Sequence, residues 1–135
     1  MSLRPLPLPD RGLDSLLGYA ELEHDDGEMH ARIPVRADVL QPFGLVHGGL
    51  YATVAETLAS IGTWMGVQEQ GMAAMGLSNQ TSFMRPITEG SVNVVARAIH
   101  RGRTTWIWDV EARDDADRLC AVTRMTIAVR PRPEG

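Results

Sequence analysis

A stretch of twenty residues with a single charged side chain constrains the fold of this chain more than any other feature. Residues 48–67, GGLYATVAETLASIGTWMGV, spread large apolar residues over much of the circumference of a helix, with small Ala, Gly and Thr residues between them. The one side chain in this stretch that is charged at neutral pH is that of Glu56. A helix that is apolar nearly all round is buried on most of its sides. The sequence therefore predicts a long helix over about 48–66, enclosed by the rest of the chain.

The remainder of the chain has mostly the pattern of strands. EMHARIPVR, after the turn signal at 25–27, alternates apolar and polar residues as a half-buried strand does. LDSLLGYAELE, at 13–23, is consistent with a short helix that leads into a strand. Turn-like segments separate four further predicted strands, at about 73–84, 91–101, 104–113 and 118–129. One long helix beside a mostly antiparallel sheet is an α+β fold.

Length and composition restrict the classes of protein to consider. The 135 residues are enough for one domain, 1–135, whose Pro-rich residues 1–12 are expected to be extended. A net charge of −4 argues against nucleic-acid and anionic-membrane partners. The single cysteine, Cys120, and four scattered histidines give no metal-ligand spacing, so we expect no metal and a reduced, cytoplasmic setting. Neither a signal peptide nor a membrane span is predicted.

Glu56 needs an explanation, because an unpaired carboxylate in a buried helix costs several kcal/mol or becomes protonated. Two structural explanations are available. The carboxylate pairs with an arginine, or it points out through a narrow polar seam of the helix. Ser60 lies one turn further along, on the same face, within reach of the carboxylate or of a water beside it.

The residues before the helix favour a chemical role for Glu56. His47, Gly48 and Gly49 begin the helix, where the first backbone N–H groups lack intrahelical partners and can bind an anion or a developing oxyanion. Gln41 precedes His47 by six residues and offers an amide near the same end. A carboxylate, an oxyanion-type site and orienting polar groups on one element suit acyl transfer.

QPFGLVHGGLYATVAETLAS, at 41–60, resembles the signature of the hotdog-fold acyl-CoA thioesterases. The branch that it resembles contains phenylacetate-pathway thioesterases, the Arthrobacter-type 4-hydroxybenzoyl-CoA thioesterase and dihydroxynaphthoyl-CoA thioesterases. The spacing Q-x5-H-G-G-x6-E-x3-S carries the resemblance, which extends over about residues 39–129. It implies a hotdog fold, in which a curved, mostly antiparallel sheet wraps around one long central helix.

The resemblance also implies catalytic roles. Glu56 would attack the thioester carbonyl or activate water, and the sequence leaves open which of the two it does. Gly48 would donate its backbone N–H to the carbonyl oxygen. His47 and Gln41 would position the thioester, and Ser60 would orient the water or the carboxylate.

Contacts to coenzyme A are implied at a second set of positions. These are Arg85, Arg103, Thr104 and Thr105, residue types that suit a nucleotide with several phosphates. Phe83, Trp64 and Met65 are large apolar residues that would either line the acyl pocket or belong to the core. No cofactor is implied, because coenzyme A is part of the substrate. The acyl group stays open among aromatic, short branched and medium-chain groups, although the Gln41/Glu56 pairing points to the aryl branch.

Two other functions remain open. An acyl-CoA hydratase or dehydratase on the same fold would add water across a double bond, generally with an Asp/His pair that we do not find in this sequence. A non-catalytic acyl-CoA-binding domain would bind the ligand without turnover. Such a domain normally works beside an attached effector module, for which 135 residues leave no room.

The spacing of Gly48 and Glu56 predicts an assembly. Eight residues on one helix span about 12 Å at a rise of about 1.5 Å per residue. An oxyanion donor and a base or nucleophile must both come within about 3 Å of their atoms in one thioester group. We therefore expect a homodimer with sites shared between chains, which the resemblance also implies, and further assembly into a homotetramer.

Overall fold

A single antiparallel sheet and one long helix make up most of the molecule. The computed structural model describes residues 2–133. Its helices are α1 (Gly12–Leu17) and α2 (Gly48–Val67), with short 3₁₀ turns at Ala37–Val39 and Gln68–Gln70. Its strands are β1 (Arg4–Pro5), β2 (Glu21–Asp25), β3 (Glu28–Pro34), β4 (Met72–Phe83), β5 (Ser91–Arg101), β6 (Thr105–Arg113) and β7 (Leu119–Pro131).

The strand order is β1-β2-β3-β5-β6-β7-β4, and every pairing is antiparallel. α2 packs across one face of this sheet, against β3 to β7. The predicted α+β hotdog fold with one central helix is confirmed. The predicted bounds of α2 and of the four long strands differ from the observed ones by at most two residues.

Buried and more exposed side chains alternate along the strands, and the buried ones form the core. In β3 the residues Met29, Ala31 and Ile33 are buried, and β6 buries every second residue from Trp106 to Ala112. Because successive side chains of a strand point to opposite faces, these residues share the face that meets α2. The charged residues between them, such as Glu111, lie on the outer face.

The C-terminal half of α2 is fixed against two tryptophans. A methyl group at Gly62 would overlap the ring of Trp108, and one at Gly66 would overlap the ring of Trp106. The indole Nε1–H of Trp108 donates to Thr63 Oγ1 at 2.8 Å, and both side chains are fully buried. Because neither glycine has a side chain, the helix can approach the sheet closely at these positions.

β4 lies at the open end of the sheet, beside β7. No strand in residues 2–133 pairs with its other edge. Met75 and Leu77 in this strand are 55% and 59% exposed. A long, apolar edge strand presents unpaired N–H and C=O groups to any second strand that can reach it. No helix in the described part of the chain is long and apolar enough to cross a membrane.

Candidate active site

His47 caps the N-terminus of α2. Its ring Nδ1 accepts a hydrogen bond from the Gly49 N–H at 2.9 Å. The Gly48 N–H has no acceptor within residues 2–133. One backbone donor at the positive end of the helix dipole is thus left for another molecule.

A cavity of about 550 Å³ opens in front of this donor. Gly48, Tyr51, Phe83 and Met84 are among the residues that line it. Phe83 packs so closely that a Cβ at residue 48 would lie 2.9 Å from its ring. Three-fifths of Phe83 is nevertheless exposed. The predicted acyl-pocket residue therefore does lie beside the predicted oxyanion donor.

Gln41 lines the same cavity from the loop before the helix. Its Oε1 accepts the N–H of Phe43, and its own backbone N–H donates to the Leu45 carbonyl at 2.8 Å. These bonds hold the turn that ends at Gly44, whose φ of +88° suits glycine. Nε2 of Gln41 donates to no group between residues 2 and 133, so the amide retains a free donor near Gly48.

Glu56 occupies a second, separate cavity of about 530 Å³. The expectation that Glu56 is buried with its helix is wrong for the single chain: the side chain is exposed, in agreement with the second structural explanation. The physical reason is the position of β4. This strand is the last of the sheet, so no strand in the described part of the chain covers the stripe of α2 that faces beyond it, from Gly49 to Trp64. Gly76 of β4 lies close to Glu56, since a Cβ at residue 76 would be 3.8 Å from the carboxylate carbon.

The carboxylate of Glu56 is unpaired in the part of the chain that the structure describes. No arginine forms an ion pair with it, so the first of the two structural explanations does not apply. Ser60 follows on the same stripe, half-buried, but no hydrogen bond joins it to Glu56. A carboxylate without a partner is free to accept a proton from, or to attack, a bound molecule.

Asp14 is a residue of this cavity that the sequence reasoning missed. α1 rests on α2 beside Glu56, and Thr57 Oγ1 donates to both oxygens of Asp14, at 2.9 and 3.0 Å. The buried Tyr19 hydroxyl donates to Asp14 Oδ1 at 2.9 Å. Burial, and next the nearby Asp14 carboxylate, raise the pKa of Tyr19 well above its ordinary value. No local pattern reveals this contact, since Asp14 and Thr57 are 43 residues apart.

The predicted coenzyme A contacts do not meet in one chain. Arg85 lines the cavity in front of Gly48, close to Phe83, which pairs with Ala121. Thr105 pairs instead with Ala128, which is seven residues further along β7 than Ala121 and also pairs with Met75 of β4. Arg103 and Thr104 precede Thr105 in the same turn. Arg85 and the group of Arg103, Thr104 and Thr105 therefore lie at opposite ends of the sheet.

Other surfaces offer weaker candidates. A larger concavity of about 720 Å³ lies on the outer face of the sheet, where Arg97, Asp109 and Arg124 line it. These side chains are largely engaged in ion pairs, such as Arg124 with Asp109. No group of three His, Cys, Asp or Glu side chains in residues 2–133 could hold a metal ion. The two cavities along α2 are therefore the candidate site.

The fold and these two cavities define a class, the hotdog-fold thioester hydrolases. A family model described as "Thioesterase superfamily" matches residues 43–121, and the chain belongs to this family. The proofreading thioesterase EntH of Klebsiella pneumoniae is 35% identical over 113 residues, which are 84% of this chain and 82% of that protein. This chain is accordingly an enzyme that hydrolyses thioesters.

Solved structures agree with this assignment. Thioesterase HI1161 of Haemophilus influenzae matches with a TM-score of 0.86 and 31% identity, over 93% of this chain and 87% of that one. Thioesterase SAV0944 of Staphylococcus aureus matches with a TM-score of 0.77 and 31% identity, over 80% of this chain and 89% of that one. It has been crystallised with a glutamine replaced by alanine and, separately, with a glutamate replaced by alanine, 15 residues apart.

Proposed function

We propose that this thioesterase hydrolyses acyl-CoA, releasing a free acid and coenzyme A. The observation that carries the proposal is the pair of unused groups on α2. Within residues 2–133 the Gly48 N–H has no acceptor and the Glu56 carboxylate has no partner, and each residue lines a cavity large enough for part of a ligand. The first group can stabilise an oxyanion, and the second can act as nucleophile or general base.

The chemistry requires that both groups reach one thioester. The Gly48 N–H would hold the carbonyl oxygen while Glu56, or a water that it deprotonates, adds to the carbonyl carbon. Collapse of the tetrahedral intermediate breaks the C–S bond, and the thiolate of coenzyme A leaves and takes up a proton. If Glu56 itself attacks, water then hydrolyses the mixed anhydride and regenerates the carboxylate.

Two chains would supply the two groups. About 12 Å separates Gly48 from Glu56 along one helix, at about 1.5 Å per residue, and the two residues line different cavities. Antiparallel pairing of two β4 edges would join the sheets and bring the Gly48 cavity of one protomer to the Glu56 cavity of the other. The exposed Met75 and Leu77 favour this contact, since an apolar edge strand pairs readily. A homotetramer of two such dimers is the further expectation.

Gln41 has a supporting role in the proposal. The altered glutamine and glutamate of the Staphylococcus aureus thioesterase are separated by 15 residues, as Gln41 and Glu56 are. The free Nε2 of Gln41 would donate to the thioester near Gly48. His47, which already caps the helix, would fix the geometry of the Gly48 amide, and Ser60 would orient water beside Glu56.

Two variants test the shared site. Glu56→Ala removes the carboxylate, and Gly48→Pro deletes the N–H in the first helical turn, where proline is otherwise tolerated. Each variant is expected to be inactive in thiol release from aryl and aliphatic acyl-CoA. Unfolded and refolded together in equal amounts, they should recover about one quarter of wild-type activity, because about half of the dimers are mixed and each carries one intact site.

Gly48→Ala is the matched control for Gly48→Pro. It adds a Cβ against the Phe83 ring but keeps the N–H, and the exposed ring has room to shift. We expect it to retain much more activity than Gly48→Pro. No thiol release by the wild type from any thioester, or binding without turnover, would reject the proposed function. Absence of recovery on mixing would reject only the shared site.

Arg85, Arg103, Thr104 and Thr105 are proposed to contact the phosphates of coenzyme A, from the two protomers of one dimer. Contacts far from the reacting carbonyl stabilise ground state and transition state alike, so Arg85→Ala and Arg103→Ala should raise KM more than they lower kcat. Pantetheine thioesters lack the nucleotide and should show a much smaller change. Equal losses on both kinds of thioester would contradict this assignment.

A further inference from the structure

We propose that Asp14 selects the acyl group of the substrate, favouring acyl groups that carry a hydrogen-bond donor and rejecting those that carry an anion. The inference rests on the proposed function, because it concerns the cavity that contains Glu56. Asp14 lines that cavity from α1, whereas Glu56 lines it from α2. The side chain is therefore placed to meet the part of the substrate beyond the thioester carbonyl.

Two protein donors hold the Asp14 carboxylate in one orientation. Thr57 Oγ1 lies 2.9 and 3.0 Å from its two oxygens, and the Tyr19 hydroxyl lies 2.9 Å from Oδ1. Tyr19 is itself 7% exposed and cannot move without opening the core. A carboxylate that is fixed by its surroundings can recognise a ligand without first losing conformational freedom.

Asp14 still has unused acceptor positions. An ionised carboxylate has about four lone-pair positions on its two oxygens. Thr57 and Tyr19 each contribute one hydroxyl hydrogen, so about two of these positions remain. The side chain is half-buried and opens towards the cavity. A hydroxyl or amino group on the acyl chain would find an acceptor there, whereas an ether oxygen in the same place would face only lone pairs.

The rest of the cavity lining agrees with a polar acyl group. Leu13 and Ala52 are its apolar members, and the others are Asp14, Thr53, Glu56, Thr57 and Asn79. Thr53 and Asn79 donate to the helix carbonyls of Gly49 and Ala52, both at 2.8 Å, which uses the one donor of Thr53 and one of the two amide donors of Asn79. A bare hydrocarbon would remove water from two carboxylates without replacing its hydrogen bonds, which is costly. An anionic acyl group would be repelled by both carboxylates.

A series of benzoyl-CoA esters measures this selectivity. The ring carries hydrogen, hydroxyl, amino, methoxy or carboxylate at each ring position in turn, and kcat/KM is measured by thiol release. For wild type, hydroxyl or amino at one position should give about tenfold higher kcat/KM than methoxy at that position. Carboxylate should give a lower value than hydrogen. If benzoyl esters are not turned over, 3-hydroxybutyryl-, butyryl- and succinyl-CoA form the equivalent series.

Asp14→Asn keeps the shape of the side chain and removes its charge and one acceptor oxygen. We expect the preference for hydroxyl over methoxy to fall to about twofold or less, and the discrimination against carboxylate to shrink. Tyr19→Phe is the matched control. It removes one donor to Asp14 and so weakens the docking of α1, but it leaves the carboxylate in the cavity. It should therefore keep the hydroxyl preference of wild type.

The inference about Asp14 and the proposed function are overturned by different results. A wild type that hydrolyses thioesters without preference among the substituents overturns the inference and leaves the proposed function standing. Retention of the preference in Asp14→Asn also overturns it. Equal loss of preference in Asp14→Asn and Tyr19→Phe assigns Asp14 to α1 docking alone. Absence of thiol release from every thioester rejects the proposed function itself.

Discussion

The two halves of α2 have the same kind of sequence and opposite surroundings. In the C-terminal half, Gly62 and Gly66 bring the helix against Trp108 and Trp106, and the buried Thr63 hydroxyl pairs with an indole N–H. In the N-terminal half, cavities open on both sides of the helix, and the Gly48 N–H and the Glu56 carboxylate are unpaired within the described residues.

Two buried polar groups, one beside each half of the helix, show the same difference. The Trp108 N–H in one half has its partner at 2.8 Å. The Tyr51 hydroxyl in the other half is buried with no partner in residues 2–133. Polar groups that a fold satisfies contribute to stability, and polar groups that it leaves unsatisfied cost stability. The comparison teaches that one half of this helix anchors the sheet, whereas the other half carries polar groups that have no partner within the described residues.

The largest effect is expected at Glu56. Glu56→Gln should lower kcat by about 10²–10⁴-fold, the usual contribution of a positioned acid or base. The free energy of unfolding should change by less than about 0.5 kcal/mol, because the side chain is exposed and unpaired. Thiol release and chemical denaturation measure the two quantities. Glu69→Gln, an exposed carboxylate just after α2, is the control and should change neither. A large stability loss in Glu56→Gln would mean that the carboxylate has a structural role.

An intermediate effect is expected at Thr63. Thr63→Val keeps the volume but leaves the Trp108 N–H buried without an acceptor, which should lower the free energy of unfolding by about 1–3 kcal/mol. Thr53→Val is the matched control in the other half. Its hydroxyl also donates to the carbonyl four residues before it, but no described side chain depends on it. Similar losses in both variants would remove the distinction between the two halves.

The smallest effect is expected at Tyr51, and it has the opposite sign. Tyr51→Phe removes a buried hydroxyl without a partner and should raise the free energy of unfolding by up to about 1 kcal/mol. Tyr19→Phe, the control, removes a hydroxyl that is bonded to Asp14 and should lower it. A destabilised Tyr51→Phe variant would show that the hydroxyl has a partner in the assembled protein.

The contribution of Tyr51 to the free energy of unfolding depends on pH. Burial, together with the neighbouring Cys120, raises the pKa of Tyr51 to about 12. A raised pKa in the folded state means that stability is fully present below pH 10, the ordinary value for tyrosine, and is lost as the pH rises through about 12. Denaturation of wild type and Tyr51→Phe across this range should show a steeper loss for wild type.

The elements of this fold could be predicted because they depend on local patterns. The apolar helix after His47 and the alternating strands needed no knowledge of the partners that they pack against. The hotdog fold followed from the resemblance of residues 41–60, and the family match over 43–121 agrees with it. That resemblance also implied that Gln41 and Gly48 act together, and both line one cavity.

The exposure of Glu56 and the role of Asp14 could not be predicted in this way. An apolar helix indicates burial, but which side stays open depends on the strand order, and β4 reaches the edge only by pairing with β7. The bond between Thr57 and Asp14 depends on how a six-residue helix docks. Neither fact has a local signal, because both are decided by contacts between residues far apart in sequence.

The pairing of β4 with β7 also sets the order in which this chain can fold during synthesis. Partners in this ladder, from Phe83 with Ala121 to Met72 with Pro131, are 38 to 59 residues apart. Within the described residues β4 has no other strand partner, so it stays unpaired until β7 has been synthesised. Closing such long loops carries an entropy cost that slows folding. The edge strand that is proposed to join two subunits is thus also a strand that pairs late within its own chain.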